Sequence, residues 1–298
     1  MGNLFRAFLF KLRRDLTFRI TLIVGLGIAV LMTLIYLAID LGMTYLSDSS
    51  NTEMIHAFCT GENLLVSSLN PAQNFGIAIP VNLITFTVLE FSNGTIRNKI
   101  IAGNSKVKVY LGLYFSGLIF TLVILGTYAL LCFGLGSAIG SYHPHGILYS
   151  ALSGAQISHR FMWQLLVLYL LGYVTIVTVT IFFATLFRHI GPCIPIVILL
   201  LMACYISATI FNTIAILGMG DDSTSKIFVA LGYILKVINP LFSCFSFDTE
   251  MVIISEYEYY AWAVIPWDAF WIQIANNIVY IGLFLGFGIL IFKKRDIK

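Results

Sequence analysis

Long apolar runs separated by polar stretches are the dominant pattern along the chain. Six runs are long enough to cross a bilayer, because about 20 apolar residues cover roughly 30 Å of hydrocarbon. They occupy residues 20–39, 73–91, 107–140, 161–187, 191–218 and 269–292. The pattern therefore predicts an all-α fold, a polytopic six-span transmembrane helical bundle that forms a single domain over residues 1–298.

The N-terminal segment, residues 1–18, carries a second pattern. Its basic side chains lie on a different face of the predicted helix from its apolar side chains. The apolar side chains recur at helical spacing: Leu4, Phe5, Phe8, Leu9, Leu12 and Leu16. Such a segment is typical of an amphipathic helix that lies in the membrane interface. The alternative is a plain positively charged anchor before the first span, which serves only to orient it.

Residues 219–268, before the last span, are more ambiguous. The stretch 226–247 is apolar enough to suggest a seventh crossing, but Lys236 lies at its centre and Asn239-Pro240 interrupts it. A seventh crossing would also place the basic tail on the opposite side from the other basic segments. We therefore expect a partly inserted, re-entrant outer segment whose broken backbone is shielded by protein.

Composition excludes a soluble domain. Hydrophobic residues make up 59% of the chain and charged residues only 10%, against about 25% charged in ordinary soluble domains. A net charge of +3 gives no reason to expect a nucleic-acid partner. The five cysteines have no metal-ligand spacing, although Cys59 and Cys244 fall in outer segments and could pair.

The distribution of Lys and Arg predicts the orientation. Of the 17 basic residues, most fall in the N-terminal segment, in the loops after the second and fourth spans, and in the tail. Basic loops stay in the cytoplasm of bacterial-type membranes. Both termini are therefore expected in the cytoplasm, and the chain is expected to be a multi-pass protein of the cell membrane.

The loop over residues 92–105 is the most informative stretch. Asn93-Gly94 predicts a turn after the second span, residues 95–102 can form two helical turns, and Gly103 stops them. Apolar and basic side chains alternate in this short helix: Ile96, Arg97, Lys99, Ile100 and Ile101. The combination suits docking on a soluble partner. An ordinary basic loop with a turn is the alternative.

Glu90 ends the second span on the basic side. A carboxylate at a membrane boundary is costly unless it is paired or solvated. We expect it to pair with a basic group of the N-terminal helix or the tail, or with Arg97 in its own loop. The alternative is a solvated carboxylate at a helix end.

At these residues the chain resembles the type 2 ATP-binding-cassette permease family. Members have a Glu at the cytoplasmic end of the second span, followed by an aromatic residue, two small or polar residues, Gly-Thr and a basic residue. Glu90, Gly94, Thr95, Arg97 and Lys99 match that run. The resemblance extends to an amphipathic N-terminal elbow helix, six spans and a broken outer segment before the sixth.

The resemblance implies that residues 92–105 form a coupling loop resting on an ATPase. Glu90, Gly94, Thr95, Ile96, Arg97 and Lys99 would then couple the chain to that partner. It further implies a dimer of permeases, most simply a homodimer, with two cytoplasmic ATPase subunits that bind ATP and Mg. The chain has no GxxxxGK[ST] run, so we expect no catalytic site and no cofactor of its own.

Polar and aromatic side chains within the spans suggest a substrate route. Asn82 lies on the second span with Phe75 and Phe86 at spacings of seven and four residues. The resemblance implies that the second and fifth spans line the substrate route, so Phe211 and Asn212 of the fifth span are also candidates. The alternative for each polar residue, including those of the fourth and sixth spans, is a hydrogen bond between helices.

These observations favour the membrane subunit of an ATP-driven exporter of amphipathic or hydrophobic peptides of the bacteriocin or toxin type. The substrate is a family-level analogy, and drugs or lipids are alternatives. A secondary transporter or channel would normally need carboxylates or basic residues within its spans, and the interiors of these runs contain none. No metal site is expected, because His143, His145 and His159 lack a carboxylate or Cys at ligand spacing.

Overall fold

A computed structural model describes residues 6–8, 10, 14–46, 59–71, 75–139, 148–149, 156–157, 159–217, 234, 237, 239, 241–242, 250–253 and 261–295. The helices in these ranges are α1 (Leu16–Leu46), α2 (Gly61–Leu69), α3 (Phe75–Ser92), α4 (Thr95–Ile101), α5 (Lys106–Ile139), α6 (His159–Phe187), α7 (Ile190–Leu217) and α8 (Trp267–Lys294). Helices account for nearly all of the described chain.

Six of these helices are long and apolar enough to cross a membrane: α1, α3, α5, α6, α7 and α8. Each coincides with one of the six apolar runs, within a few residues at either end. The prediction of a helical bundle with six membrane-length helices is thus confirmed for the described chain, and helices of this length and composition fit a multi-pass membrane protein.

Helix α6 lies at the centre of the bundle. It contacts α3, α5, α7 and α8, and most of its span is buried, whereas few residues of α1 and α8 are. A glycine allows its closest packing, because a Cβ on Gly117 of α5 would lie 2.8 Å from the Ile181 Cδ1 atom of α6. Helices α1 and α8, by contrast, lie at the periphery and expose broad apolar faces.

In the described chain, two buried hydrogen bonds between side chains tie other helices to α6. The Thr175 hydroxyl donates to the Asn277 side-chain oxygen at 2.8 Å, which joins α6 to α8. The hydroxyls of Tyr114 and Thr178 lie 3.1 Å apart and join α5 to α6. Both contacts are buried, so these polar side chains hold the bundle together, as one of the two sequence interpretations proposed.

A small sheet connects two of the loops, and the sequence pattern did not predict it. Its strands are β1 (Leu148–Tyr149), β2 (Gln156–Ile157), β3 (Glu250–Ile253) and β4 (Ala261–Val264). The order is β1-β2-β4-β3, with β2 parallel to β4 and the other two pairs antiparallel. The sheet joins the α5–α6 connection to the segment before α8. Backbone pairing over long sequence separations has no local signal in such short strands.

The predicted re-entrant region, 219–268, is described only in part. Asn239, where the apolar run is interrupted, is buried. Its side-chain nitrogen donates to the Cys204 carbonyl at 2.7 Å and to the Ser207 hydroxyl at 2.8 Å. Asn239 therefore anchors this segment to α7, while most of the surrounding residues lie outside the described ranges. Cys244 lies outside them too, so its pairing with Cys59 stays a prediction.

The N-terminal segment is likewise described in part. Residues 6–8, 10 and 14 are helical. Phe8 is fully buried, whereas Phe10 is 58% exposed. The two aromatic side chains thus face different surroundings, although the interfacial position of this helix stays a prediction.

Candidate functional site

Four helix ends meet at one end of the bundle, called here the basic end: α3, α6 and α8 end there and α5 begins there. The Lys106 ammonium at the start of α5 donates to the carbonyls of Lys293 at 3.2 Å and Arg295 at 2.9 Å, at the end of α8. The Arg295 guanidinium donates in turn to the Leu186 carbonyl, at the end of α6. A cation at a helix C-terminus also complements the helix dipole.

Helix α4 projects from this end between two glycines in the left-handed region. Gly94 has φ 65° and precedes the first residue of α4, and Gly103 has φ 88° two residues after the last. A Cβ at either glycine would meet no atom within 4 Å. The backbone conformation, and not crowding, is therefore what favours glycine at both positions. The short helix lies where the sequence predicted it.

Glu90 and Lys99 form an ion pair that folds α4 back against α3. The Lys99 Nζ atom lies 2.9 Å from the Glu90 Oε2 atom. The Glu90 side chain is fully buried and that of Lys99 is 15% exposed. A buried carboxylate needs such a partner, because desolvation is costly for an unpaired charge.

Glu90 was expected to pair with a basic group of the N-terminal helix or the tail, or with Arg97 in its own loop. The structure pairs it with another cation of that loop, Lys99. Two residues along a helix differ by about 200° in direction. Lys99 can therefore point back towards α3 while Arg97 is exposed. The rotational setting of α4 decides which cation reaches Glu90.

The N-terminal segment contacts the same lysine. The Lys99 Nζ atom lies 3.2 Å from the centre of the Phe8 ring, within the range of a cation–π interaction. Phe8 is fully buried there. The three side chains Glu90, Lys99 and Phe8, called here the Lys99 cluster, connect α3, α4 and the N-terminal segment.

The faces of α4 differ sharply. Ile96 is 1% exposed, and Ile100 packs against the core. Arg97 and Asn98 are exposed, and Ile101 is 72% exposed. The structure therefore turns Ile96 inward, although the sequence analysis counted it among the coupling residues, and leaves Arg97, Asn98 and Ile101 as an outward face of mixed character.

Aromatic contacts continue from the end of α3 across the basic end. The Phe91 ring lies 6.0 Å from that of Phe292 on α8, and the Arg188 guanidinium lies 5.0 Å from the Phe91 ring. Arg188 adopts φ 56° between α6 and α7. Burial lowers the pKa of the Arg188 guanidinium, and the nearby charge of Arg295 lowers that pKa further. The end of α3 is thus in contact with both neighbouring helix ends.

Of the residues proposed to line a substrate route, Phe75 and Asn82 lie farther along α3 from this site, whereas Phe86 lies one helical turn from Glu90. Phe75 is buried against Tyr128 at a ring distance of 4.8 Å. The Asn82 side-chain nitrogen donates to the Ala78 carbonyl of its own helix at 2.8 Å. Phe86 is buried and lines a 240 Å³ groove together with Arg14 and Leu89. The side chains of Phe211 and Asn212, on α7, lie outside the described set, so the route stays a prediction.

Sequence reasoning did not identify the roles of Phe8 and Arg188. Phe8 was recognisable only as one of several apolar positions, and no local signal pairs it with Lys99. The described residues contain no group of three or more His, Cys, Asp or Glu that could hold a metal ion. In comparisons with known proteins, no family model, no curated protein and no solved structure matches the chain.

Proposed function

We propose that this chain is the transmembrane permease subunit of an ATP-driven exporter of the type 2 ATP-binding-cassette class. One observation carries the proposal: the Lys99 cluster, in which a buried carboxylate at the end of α3 binds a cation of α4 while a buried ring of the N-terminal segment covers that cation. An arrangement of this kind transmits a displacement of α4 directly to a membrane-length helix.

The proposed partner is a cytoplasmic ATPase, with one copy on each of two identical permeases. It would bind ATP and Mg, and it would contact the outward face of α4, which offers a guanidinium, an amide and an exposed Ile101. A cation flanked by an apolar side chain is a common composition of protein interfaces. The basic end and both termini would then lie in the cytoplasm of a bacterial-type cell membrane.

In this proposal ATP hydrolysis moves α4, and the ion pair passes that movement to α3. The contacts of Phe91 with Phe292 and Arg188 extend the movement to the ends of α8 and α6. Helix α3 would then tilt against the central helix α6 and open a path between the two permease copies. The exposed apolar faces of α1 and α8 are available for the second copy and for lipid.

As the substrate we propose amphipathic or hydrophobic peptides, with drugs and lipids as the alternative cargo. The apolar character of the spans supports an apolar or amphipathic cargo and does not distinguish among these classes. The absence of Asp, Glu, Lys and Arg from the interiors of the predicted runs argues against a transporter coupled to an ion gradient.

The proposal is tested by co-expressing the chain with ATP-binding-cassette ATPases encoded in the same genome. We expect one of them to co-purify, and we expect its ATP hydrolysis to rise when the complex is reconstituted in vesicles with an apolar peptide. Peptide accumulation in vesicles should require ATP. Uptake driven by a proton or sodium gradient without any ATPase would overturn the proposal in favour of a secondary transporter.

A further inference from the structure

A cavity of about 210 Å³ lies beside α8, far from the basic end. Its wall combines apolar side chains with amides, and its members include Val237, Phe242, Ile272, Gln273, Asn276 and Asn277. Since a water molecule takes about 30 Å³ of liquid, the cavity has room for an amino-acid side chain with part of its backbone. Val237, Ile272 and Val279 are each more than half exposed, so the cavity is open along one side.

Gln273 is the exceptional member of this wall. Its side chain is 2% exposed, yet both its amide nitrogen and its amide oxygen lack a hydrogen-bond partner among the described residues. Buried polar atoms nearly always find a partner, because the loss of hydration is otherwise uncompensated. Within the described part of the chain, Gln273 therefore presents an unpaired donor and an unpaired acceptor at a site that can admit a ligand.

The neighbouring amides do have partners. Asn277 accepts from the Thr175 hydroxyl and donates to the Gln273 carbonyl. Asn276 donates to the Asn239 carbonyl, and Asn239 is held by Cys204 and Ser207 of α7. These bonds fix the wall around Gln273. Among the described amide side chains of this wall, that of Gln273 is the one without a hydrogen-bond partner.

We infer that this cavity binds a peptide group of an apolar peptide through the side-chain amide of Gln273. A primary amide offers one acceptor and two donors, and a backbone peptide group offers the complementary N–H and C=O. An apolar side chain of the same peptide would contact Phe242, Ile272 and Val279. This inference deepens the proposed function, on which it rests for the assignment of peptides as cargo.

Other occupants fit less well. An acyl chain would satisfy the apolar wall but leave the Gln273 amide without a partner, at the full cost of its desolvation. An anionic lipid headgroup or phosphate would need a cation, and the described lining contains no charged side chain. A peptide satisfies the amide and the apolar wall together.

The test measures binding by the purified full chain in lipid nanodiscs, without any ATPase. The probe is tritiated N-acetyl-trileucine amide, and the matched ligand is its depsipeptide, in which esters replace all the amide groups, both end caps included, and remove every N–H donor. We expect wild-type protein to prefer the peptide. In Gln273→Leu we expect the dissociation constant for the peptide to rise about tenfold or more, since two hydrogen bonds are lost, and the preference over the depsipeptide to disappear.

Gln164→Leu is the matched control, because Gln164 is also buried but donates to the Ile265 carbonyl at 3.1 Å and does not line the cavity. It should retain the preference. Ala275→Phe, which fills the cavity from an exposed position of α8 without changing Gln273, should weaken both ligands, and this keeps the test valid if Gln273→Leu does not fold.

Equal binding of peptide and depsipeptide by wild type, or an unchanged preference in Gln273→Leu, would overturn the inference and leave the cavity to lipid. The binding assay contains no ATPase, so it is separable from the proposed function. Binding that depends on Gln273, without any ATPase partner for the chain, would count against the exporter alone.

Discussion

The Nζ atom of Lys99 lies 2.9 Å from the Oε2 atom of Glu90, and the carboxylate is fully buried. Lys99 follows Glu90 by nine positions, across the turn at Asn93-Gly94. The pair therefore determines how α4 sits on α3, and Phe8 adds the N-terminal segment to the same contact. Substituting Glu90 and Phe8 in turn distinguishes a cluster that couples α4 to α3 from one that only packs.

Glu90→Gln keeps the shape of the side chain and removes its charge. Lys99 then loses its ion pair and faces a neutral amide oxygen as acceptor, which weakens the contact by about 2 kcal/mol. We expect the backbone amides of residues 95–101 to exchange with solvent about 30-fold faster. Expression and ATPase binding should persist, whereas substrate-stimulated ATP hydrolysis in the assembled complex should fall.

Asp268→Asn, at an exposed carboxylate at the far end of α8, is the control and should change neither quantity. Wild-type amide exchange and wild-type hydrolysis in Glu90→Gln would reduce Glu90 to a helix-end residue without a coupling role. The exchanged pair Glu90→Lys with Lys99→Glu should restore part of the lost protection.

Phe8→Leu retains an apolar side chain and removes the ring that Lys99 contacts. Because a cation–π contact contributes about 1 kcal/mol, we expect amide exchange in α4 to accelerate about fivefold. Phe10→Leu is the matched control, since Phe10 also contacts a cation, Arg14 at 4.4 Å, but is 58% exposed. Equal effects of the two variants would show that Phe8 acts only through general packing.

Arg97→Glu should weaken association with the ATPase, because Arg97 lies on the outward face of α4 and contributes nothing to the ion pair in the described structure. Lys108→Glu reverses another exposed cation of the basic end and should leave association intact. Co-purification of the ATPase with each full-length variant measures the difference. If both variants retain the ATPase equally, the outward face of α4 is not the docking surface.

Gly288 and Tyr110 provide a packing test at the basic end. A Cβ on Gly288 would lie 2.0 Å from the Tyr110 hydroxyl oxygen, and Tyr110 is 1% exposed. Gly288→Ala should therefore lower the free energy of unfolding by about 1–3 kcal/mol. The added variant Tyr110→Phe should recover part of that loss, because it removes the clashing oxygen, which has no hydrogen-bond partner in the described chain.

Thermal unfolding of the purified protein in detergent measures these effects. Tyr110→Phe alone should be nearly neutral. If the effects of Gly288→Ala and Tyr110→Phe on the free energy of unfolding simply add, the oxygen of Tyr110 is not the source of the clash. The α5–α8 contact would then adjust by a shift of its backbones.

Much of the bundle followed from local pattern. Apolar runs located the six membrane-length helices, because the length of a run can be read from consecutive residues. Asn93-Gly94 and Gly103 located the ends of α4, because glycine favours the positive φ at which a short helix begins or stops. The four-stranded sheet was missed, since its strands pair across the α5–α6 loop and the segment before α8 and are two to four residues long. The free amide of Gln273 was visible in the sequence only as one of several polar residues in the last span.

By itself, the sequence determined that Glu90 stands at the end of an apolar run on the basic side, where a carboxylate is either paired or solvated, since an unpaired charge is costly to bury. Only the tertiary structure decided that Glu90 is buried and pairs with Lys99, that Phe8 covers that lysine, and that Ile96 faces inward. These choices depend on the rotation of α4 about its axis and on the path of the N-terminal segment. The rotation of α4 is set by its packing against α3 and the core. The residues in that packing are distant in sequence, so the local sequence pattern does not determine it.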